Sequence, residues 1–498
     1  MNLEQQKKQA RELLRAIRSG NPEAGARLRR HHQRWAGVDE ATLRQQVALH
    51  DAQFVLAREQ GFASWPKLKA YAEPPSHSRL THIFVADPQW IADRVNGLLR
   101  TRQSAGPAAL EQIREWHPRF AGLSDEEIRQ APFTEDDARL VYAREHGFDA
   151  WPDLVNRAVA LSQVPVEHAA ATEPFMAAFA LLSRGDAASL ASLLSERPEL
   201  AHARGTNGNT LLNLATSLAP KWNAATGLAI LETLLDAEAD PNDANDRGWT
   251  PLHQAGYSNQ PQIAARLIAS GASPEAEAHG AGGTPLIVAL FWGHVEVAEV
   301  LGRHSLAPTN LRVAAGLGHQ QLMEACFAPD GTLTPEASAA RGFYRPHSGF
   351  PDWQPSNHPQ EVLDEALVWA AKSNRVNVLP RLVQAGARLD ADPYRGTPLI
   401  WAAVRNRMDA ARWLLDRGAE VNRKATFGGL THGQGITALH MACQNGHLAM
   451  VRFLIERGAD PALKDDLFDS DAAGAARYFG QQEVCDYLRS LGPFHRET

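Results

Sequence analysis

One stretch of the sequence decides the fold: Gly435-Ile436-Thr437-Ala438-Leu439-His440-Met441-Ala442-Cys443-Gln444-Asn445-Gly446-His447. Within it, Thr437 is placed to cap a first helix, and Gly446 interrupts the chain before a second one. The apolar residues that follow have helical spacing, and the turn Gly458-Ala459-Asp460 ends the block. The block therefore predicts two antiparallel helices that bury their apolar faces only against a neighbouring copy.

Copies of this block recur from Thr210 onwards. Thr250-Pro251-Leu252-His253 repeats the signature Thr437-Ala438-Leu439-His440, and its proline loses no hydrogen bond in the first turn of a helix. A related signature begins 34 residues after Thr250, at Thr284, and another begins at Thr397. This spacing is close to the roughly 33-residue ankyrin unit, and the chain resembles an ankyrin-repeat protein. The resemblance implies an all-α fold, an α-solenoid of stacked helix-turn-helix repeats with finger loops.

Repeats of unequal length are predicted along the region that follows residue 166. They are placed near 175–206, 207–245, 247–280, 281–307, 308–328, 361–394, 395–430, 434–466 and 469–491. Three departures from the regular unit are expected. They are an expanded loop between helices around Pro220, an extended finger over 423–434, and an insertion at about 329–360.

The front of the chain contains an internal duplication. Gly61-Phe62-Ala63-Ser64-Trp65-Pro66 returns 86 residues later as Gly147-Phe148-Asp149-Ala150-Trp151-Pro152. In each copy, a helix is expected to end at the glycine, and the Trp-Pro pair is expected to begin another. Residues 1–75 and 76–165 are therefore predicted as two copies of one helical module, followed by the solenoid at 166–494.

Duplicated Gly-Phe-x-x-Trp-Pro modules of this kind resemble those that precede ankyrin arrays in some bacterial proteins. The resemblance implies a bacterial origin and carries no activity with it. A structural cap that shields the first repeat is the role expected for the duplication.

Composition excludes several classes of function. The formal net charge of −7 over 498 residues argues against nucleic acid as a partner. The 3 cysteines are too few for a disulfide framework and lie in predicted helices, which favours a reducing compartment. The first ten residues are polar, and no later apolar run is long enough to cross a membrane. The expected location is the cytoplasm, with export by a route that needs no signal sequence left open.

The insertion is rich in aromatic side chains, whereas a flexible linker would be poor in them, so an ordered segment is expected. Two interpretations stay open. In one, the aromatic residues fold over an exposed face of the solenoid and fill a gap between imperfect repeats. In the other, a recognition site is lined by Tyr344, Arg345, His347 and Trp353.

The finger loops supply the other candidate binding residues, because resemblance to ankyrin proteins implies protein recognition by a concave surface of fingers and first helices. The candidates on or near the fingers are Arg247, Trp249, Tyr394, Arg395, Phe427, His432 and Phe468. An exposed aromatic residue in a polar loop is explained either by contact with a partner or by packing on the next finger. Both explanations stay open for these residues.

Apparent chemical motifs fall on positions of the repeat. His440, Cys443 and His447 have the spacing of metal ligands along one helix, but each occupies a repeat position, so neither a metal nor a cofactor is predicted. The glycine-rich finger 428–435 lies before a helix start and can form an amide nest for an anion, but it lacks the lysine of a P-loop. No nucleophile elbow is found.

The sequence therefore favours a non-catalytic scaffold that binds a protein or peptide partner, with the insertion as a specificity element. The rival is a small-molecule-binding or catalytic protein whose site lies between the insertion and the finger at 423–435. Such a site would use Arg345, His347, Asp352 and His432. A third alternative, a secreted effector directed at a host, differs in location and not in chemistry.

Overall fold

The computed structural model describes residues 3–59, 65, 95–99, 102, 107–162, 174–205, 208–245, 248–278, 283–305, 310–341, 355–427 and 434–492. The chain divides into two compact units, residues 1–278 with 304–306 and residues 279–303 with 307–498. The predicted domain boundaries near 75 and 165 lie outside the described residues.

The first unit begins with two sets of short helices that correspond to the duplicated segments. The first set is Leu3–Arg18, Pro22–His31, Glu40–Gln46 and Leu49–Glu59, with a 3₁₀ turn at Gln33–Trp35. The second set is Pro107–Trp116, Asp125–Gln130, Glu135–Glu145 and Trp151–Ser162, with a 3₁₀ turn at Pro118–Phe120. Each set encloses its own apolar core, which contains Trp35 in one and Phe120 in the other.

The turn before the last helix of the second set has the predicted form. Gly147 has a φ of 81°, and the N–H of Phe148 donates to the carbonyl oxygen of Ala143 at 2.9 Å. The next helix begins at Trp151. The predicted glycine stop and Trp-Pro start are therefore confirmed in this copy, while Gly61 and Phe62 of the first copy lie outside the described residues.

Helix pairs with the predicted repeat spacing complete the first unit. They are Pro174–Arg184 with Ala187–Glu196, Leu211–Leu218 with Ala224–Asp236, and Pro251–Tyr257 with Pro261–Ala269. After a 3₁₀ turn at Pro198–Ala201, a short antiparallel sheet pairs Arg204–Gly205 with Asn209–Thr210. A further 3₁₀ turn at Ala219–Lys221 forms the expanded loop that was predicted around Pro220.

The second unit consists of stacked helix pairs. They are Pro285–Trp292 with Val295–His304, Leu311–Leu317 with Gln320–Glu324, Pro359–Lys372 with Leu379–Gln384, Pro398–Val404 with Met408–Leu415, Ala438–Gln444 with Leu448–Glu456, and Ala472–Tyr478 with Gln482–Ser490. A 3₁₀ turn lies at Pro335–Ser338. Every predicted repeat contains two helices, so the predicted all-α solenoid is confirmed.

Threonine caps begin the first helices of five repeats, as the sequence predicts. The Thr250 side chain accepts a hydrogen bond from the N–H of His253, and Thr437 does the same for His440. In return, Nδ1 of each histidine accepts from the threonine N–H at 3.2 Å. These reciprocal bonds satisfy backbone donors that a helix start otherwise leaves unpaired.

Helix Pro359–Lys372 passes through the middle of the second unit. It packs against Leu311–Leu317 on one side and Pro398–Val404 on the other, and its residues from Val362 to Lys372 are all buried. A helix that is buried on every face carries its polar side chains into the interior. Glu365 and Lys372 are therefore interior charged residues, which need partners there.

Candidate functional site

The structure describes five of the predicted site residues, and six lie outside the described residues. The six are Arg247, Tyr344, Arg345, His347, Trp353 and His432, and Asp352 of the rival site also lies outside. The five are Trp249 in the first unit and Tyr394, Arg395, Phe427 and Phe468 in the second.

Trp249 packs inside the first unit. Its side chain is 9% exposed, and its ring meets that of Tyr257 edge to face, with the centroids 5.8 Å apart. Its backbone belongs to a finger turn, in which its N–H donates to Asn245 Oδ1 at 3.1 Å and its carbonyl oxygen accepts from Asn245 N at 2.9 Å. Asn213 of the preceding repeat donates to the same carbonyl oxygen at 3.3 Å. The ring thus packs within its own repeat, and its burial argues against direct contact with a partner.

Tyr394, Arg395 and Phe427 lie together in the second unit. Arg395 is 4% exposed, and its guanidinium carbon lies 5.9 Å from the Tyr394 ring and 5.7 Å from the Phe427 ring. Phe427 packs on Trp401 with the ring centroids 5.1 Å apart. The finger that carries Phe427 is tied to the preceding one, because Asp392 accepts from the N–H of Thr426 at 2.7 Å. These residues form the edge of an aromatic cluster and are not separate finger tips.

An aromatic box encloses the amine of Lys372 at the centre of this cluster. The Nζ atom lies 4.5 Å from the centroid of Phe291, 4.7 Å from that of Trp369 and 4.4 Å from that of Trp401. It donates a hydrogen bond to the carbonyl oxygen of Phe291 at 2.8 Å. Burial lowers the Lys372 pKa well below its ordinary value, and although Glu365 opposes this effect, Arg312 and two further arginines add to it. Burial and the charges of these arginines therefore favour the neutral amine.

A buried arginine–glutamate network of Arg312, Arg341, Glu361 and Glu365 lies beside the box. Arg312 Nη1 donates to Glu365 Oε1 at 2.7 Å, and Arg341 Nε donates to Glu365 Oε2 at 2.7 Å. Arg341 Nη2 also donates to Glu361 Oε1 at 2.9 Å. Burial opposes ionisation of Glu365, but the charges of the two arginines outweigh it and hold its pKa below the ordinary value. Both oxygens of Glu365 are therefore used by these guanidinium groups.

Of the five predicted site residues that the structure describes, Phe468 is the exposed one. It is 71% exposed, at the tip of the finger 465–470. Asp465, which is buried, accepts hydrogen bonds from the N–H groups of Leu467 at 2.9 Å, Phe468 at 2.6 Å and Ser470 at 3.2 Å. A carboxylate that accepts three backbone donors fixes the turn around it. The phenyl ring is therefore presented to solvent by a finger whose turn is held by three hydrogen bonds.

Sequence reasoning missed two exposed aromatic residues at the end of the following helix. Tyr478 is 85% exposed and Phe479 is 48% exposed, and their rings meet edge to face at 5.0 Å. The sequence contains a signal that could have predicted these two exposed residues. Tyr478-Phe479-Gly480 occupies the positions of Gln444-Asn445-Gly446 in the best repeat, so two aromatic residues stand where polar ones are expected.

His440 and His447 contact backbone carbonyl groups of other repeats, and Cys326 and Cys443 are buried. His440 Nε2 lies 3.1 Å from the carbonyl oxygen of Ser470, and His447 Nε2 lies 3.1 Å from that of Val404. Burial raises the pKa of the Cys443 thiol to about 12 and that of Cys326 to about 11. Among the described residues, no three histidine, cysteine or acidic side chains are grouped so that they could hold a metal ion. Within the same ranges, no helix has the length and hydropathy needed to cross a membrane.

Comparison with known proteins identifies the repeats. Residues 221–312 and 353–425 match a family model for three copies of the ankyrin repeat, and residues 399–455 match one for many copies. The chain is 30% identical over 234 residues, 44% of its length, to "Ankyrin repeat and KH domain-containing protein mask-1" of Caenorhabditis elegans, and the match covers 9% of that relative. It is 36% identical over 63 residues, 13% of its length, to "Ankyrin repeat and SAM domain-containing protein 6" of Mus musculus, and covers 7% of it. The chain therefore contains ankyrin repeats, and it spans less than a tenth of either relative.

Proposed function

We propose that the ankyrin repeats of this chain form a non-catalytic scaffold that binds a protein or peptide through its finger loops and first helices. The observation that carries the proposal is Phe468, which is 71% exposed on a finger held by Asp465. An aromatic ring on a fixed backbone offers a partner a large contact area with little loss of conformational entropy. Ankyrin repeats are protein-interaction modules, and an exposed aromatic anchor is what such a module needs.

We include the exposed Tyr478 and Phe479 in the proposed binding surface. Phe468 precedes helix Ala472–Tyr478, and Tyr478 ends it, so one short helix separates the two anchors. A helix of 7 residues is about 10 Å long. A peptide of a few residues spans that distance, and the proposed partner therefore contacts both ends of this helix.

The remaining parts of the proposal concern organisation and location. We assign residues 1–75 and 76–165 to two helical modules that precede the repeats at 166–494, and we place the protein in the cytoplasm. Cys326 and Cys443 support this location, since both are buried as free thiols. The charge of −7 supports a partner other than nucleic acid.

Selection of peptides from a displayed library against the full chain tests the proposal. Affinities of the selected peptides would be measured for the wild type, Phe468→Ala and the double variant Tyr478→Ala with Phe479→Ala. Each variant is expected to weaken binding by about tenfold or more, because truncation of a central aromatic anchor usually costs at least that much.

Leu491→Ala is the matched control. Leu491 is also exposed and apolar, but it follows the last helix, Gln482–Ser490, and lies on no finger. Its variant should bind as the wild type does. Peptides that bind all of the variants equally would overturn the assignment of this surface.

A further inference from the structure

The two copies of the duplicated module differ in charge at the start of one helix. Leu49 and His50 begin this helix in the first copy. The corresponding residues of the second copy, 86 positions later, are Glu135 and Asp136. His50 is 8% exposed, whereas the side chain of Asp136 is 86% exposed. A charged surface position of the second copy is therefore a buried position in the first, which indicates that the first copy is covered there.

Residues of the ankyrin repeats lie against this helix start, within the same compact unit. The Cβ atom of Leu49 lies 3.6 Å from the point at which a side chain on Gly271 would begin, so the Gly271 backbone lies directly against Leu49. Arg34 Nη1 lies 3.5 Å from the carbonyl oxygen of His304. The charges of Arg34 and His304 also act on His50. Leu49, Arg34 and His50 therefore form one contact surface toward the repeats.

The arginine of each copy shows the same difference between the modules. In the second copy, Arg119 Nη2 lies 2.9 Å from Asp137 Oδ2, within its own module. Arg34 stands at the corresponding position, 85 residues earlier, and its Nη1 atom contacts His304. The arginine that forms an ion pair inside the module in one copy thus contacts the repeats in the other.

The ring of His50 lies at this contact without a hydrogen-bond partner. Both of its nitrogen atoms are buried, and neither forms a hydrogen bond. Its Nε2 atom lies 3.5 Å from Asp51 Oδ1, but that oxygen already lies 3.1 Å from His32 Nε2 and accepts from Trp35 Nε1 at 3.1 Å. A protonated imidazole has two N–H donors, and a buried donor without an acceptor costs free energy. The closed contact therefore holds His50 in its neutral form.

The titratable and charged groups around His50 act on it in both directions. Burial is the largest effect and lowers the pKa of His50 below its ordinary value of 6.5. The charge of Asp51 opposes this effect, while the charges of Arg34, His32 and His304 add to it. Because the pKa is lower at the closed contact than in solvent, the contact is fully stable above pH 6.5 and loses stability as the pH falls below that value.

We infer that the first helical module is docked on the ankyrin repeats through Leu49, Arg34 and His50, and that mild acid releases it by protonating His50. Release brings the charged ring into water, where both of its N–H donors are satisfied. The second copy has Asp136 in place of this histidine, so it lacks the acid response. The inference does not depend on the proposed function, since Phe468 takes no part in it.

Hydroxyl-radical footprinting of the full chain tests the inference at about pH 7.5 and about pH 5.5, on the two sides of the ordinary histidine pKa. Mass spectrometry measures the oxidation of single leucine side chains. Leu49 should be oxidised faster at the lower pH, because release exposes it. Leu43, which is fully buried in the core of the same module, should stay protected at both pH values. The ratio of released to docked module should rise by up to about tenfold for each pH unit below 6.5, because release takes up one proton.

His50→Phe keeps a planar ring at the contact and cannot be protonated, so Leu49 should stay protected at the lower pH. The matched control is His31→Phe. His31 belongs to the same module, but its Nε2 atom lies 3.9 Å from Glu59 Oε1, and its variant should keep the acid release. Oxidation of Leu43 at neutral pH would reveal a variant that does not fold, and His50→Leu then replaces His50→Phe.

Three outcomes would overturn the inference. The first is equal oxidation of Leu49 at both pH values. The second is a joint rise in the oxidation of Leu49 and Leu43, because the module would then unfold and not leave the repeats. The third is a rise for Leu49 that persists when His50 is replaced, which would assign the acid response to another group.

Discussion

Replacing Asp51 with asparagine is expected to destabilise the first set of helices, and the loss should depend on pH. Asp51 is fully buried. Its Oδ1 lies 3.1 Å from His32 Nε2 and accepts from Trp35 Nε1 at 3.1 Å, while its Oδ2 accepts from Ala48 N at 2.8 Å. Burial opposes ionisation of Asp51, but these bonds and the charge of His50 outweigh it and lower its pKa from 3.8 to about 2.

The difference between the unfolded and folded pKa values of Asp51 gives the magnitude of the expected loss in stability. Because each pKa unit corresponds to about 1.4 kcal/mol, ionised Asp51 contributes about 2 kcal/mol to the free energy of unfolding at neutral pH. The pKa is lower in the folded state, so this contribution is complete above the unfolded value of 3.8 and is lost as the pH falls through 2. It should decrease to about half near pH 3.

Urea unfolding, with pulse labelling of the amides of Pro22–His31 and Leu49–Glu59, measures this local stability at neutral pH and near pH 3. The control is Asp136→Asn, because Asp136 is exposed and its ion pair with Arg139 should contribute less than about 1 kcal/mol. A loss for Asp51→Asn that is equal at both pH values, or no larger than that of the control, would refute the reasoning.

Three further predictions concern the second unit. Lys372→Met should remove the pH dependence of stability that the Lys372 amine causes. The folded state favours the neutral amine, so wild-type stability should rise with pH toward 10.5, and calorimetric Tm values of the variant should not show this rise. Asp465→Ala should speed amide exchange over 465–470 and weaken binding of selected peptides, because three backbone donors lose their acceptor. Thr437→Val should cost about 1 kcal/mol in urea unfolding, since the side chain that caps helix Ala438–Gln444 is lost.

The repeats could be predicted from the sequence because their signals are local. Thr250 and His253 form one capping box, and the expanded loop at Ala219–Lys221 follows directly from an irregular spacing of two signatures. The helix end expected at the glycine and the helix start expected at the Trp-Pro pair likewise predicted the turn at Gly147. Each of these features is decided by residues within a few positions of one another.

The site could be predicted only in part, because burial in a stack depends on distant residues. Arg395 is placed against Phe291, which belongs to a different repeat, and nothing local distinguishes it from an exposed finger residue. The contact of Arg312 with Glu365 joins residues 53 positions apart. The exposure of Tyr478, in contrast, could have been predicted from the sequence. Alignment of the last repeat with the repeat at 434–466 places Tyr478 at the position of the polar Gln444.

The central claim is that a partner binds at the fingers and first helices of the last repeats. Amide hydrogen exchange of the full chain, with and without a selected peptide, tests it most directly. We predict slowed exchange over 465–470 and at the end of helix Ala472–Tyr478. Slowed exchange confined to the second helices Leu448–Glu456 and Gln482–Ser490, with the finger unchanged, would contradict it.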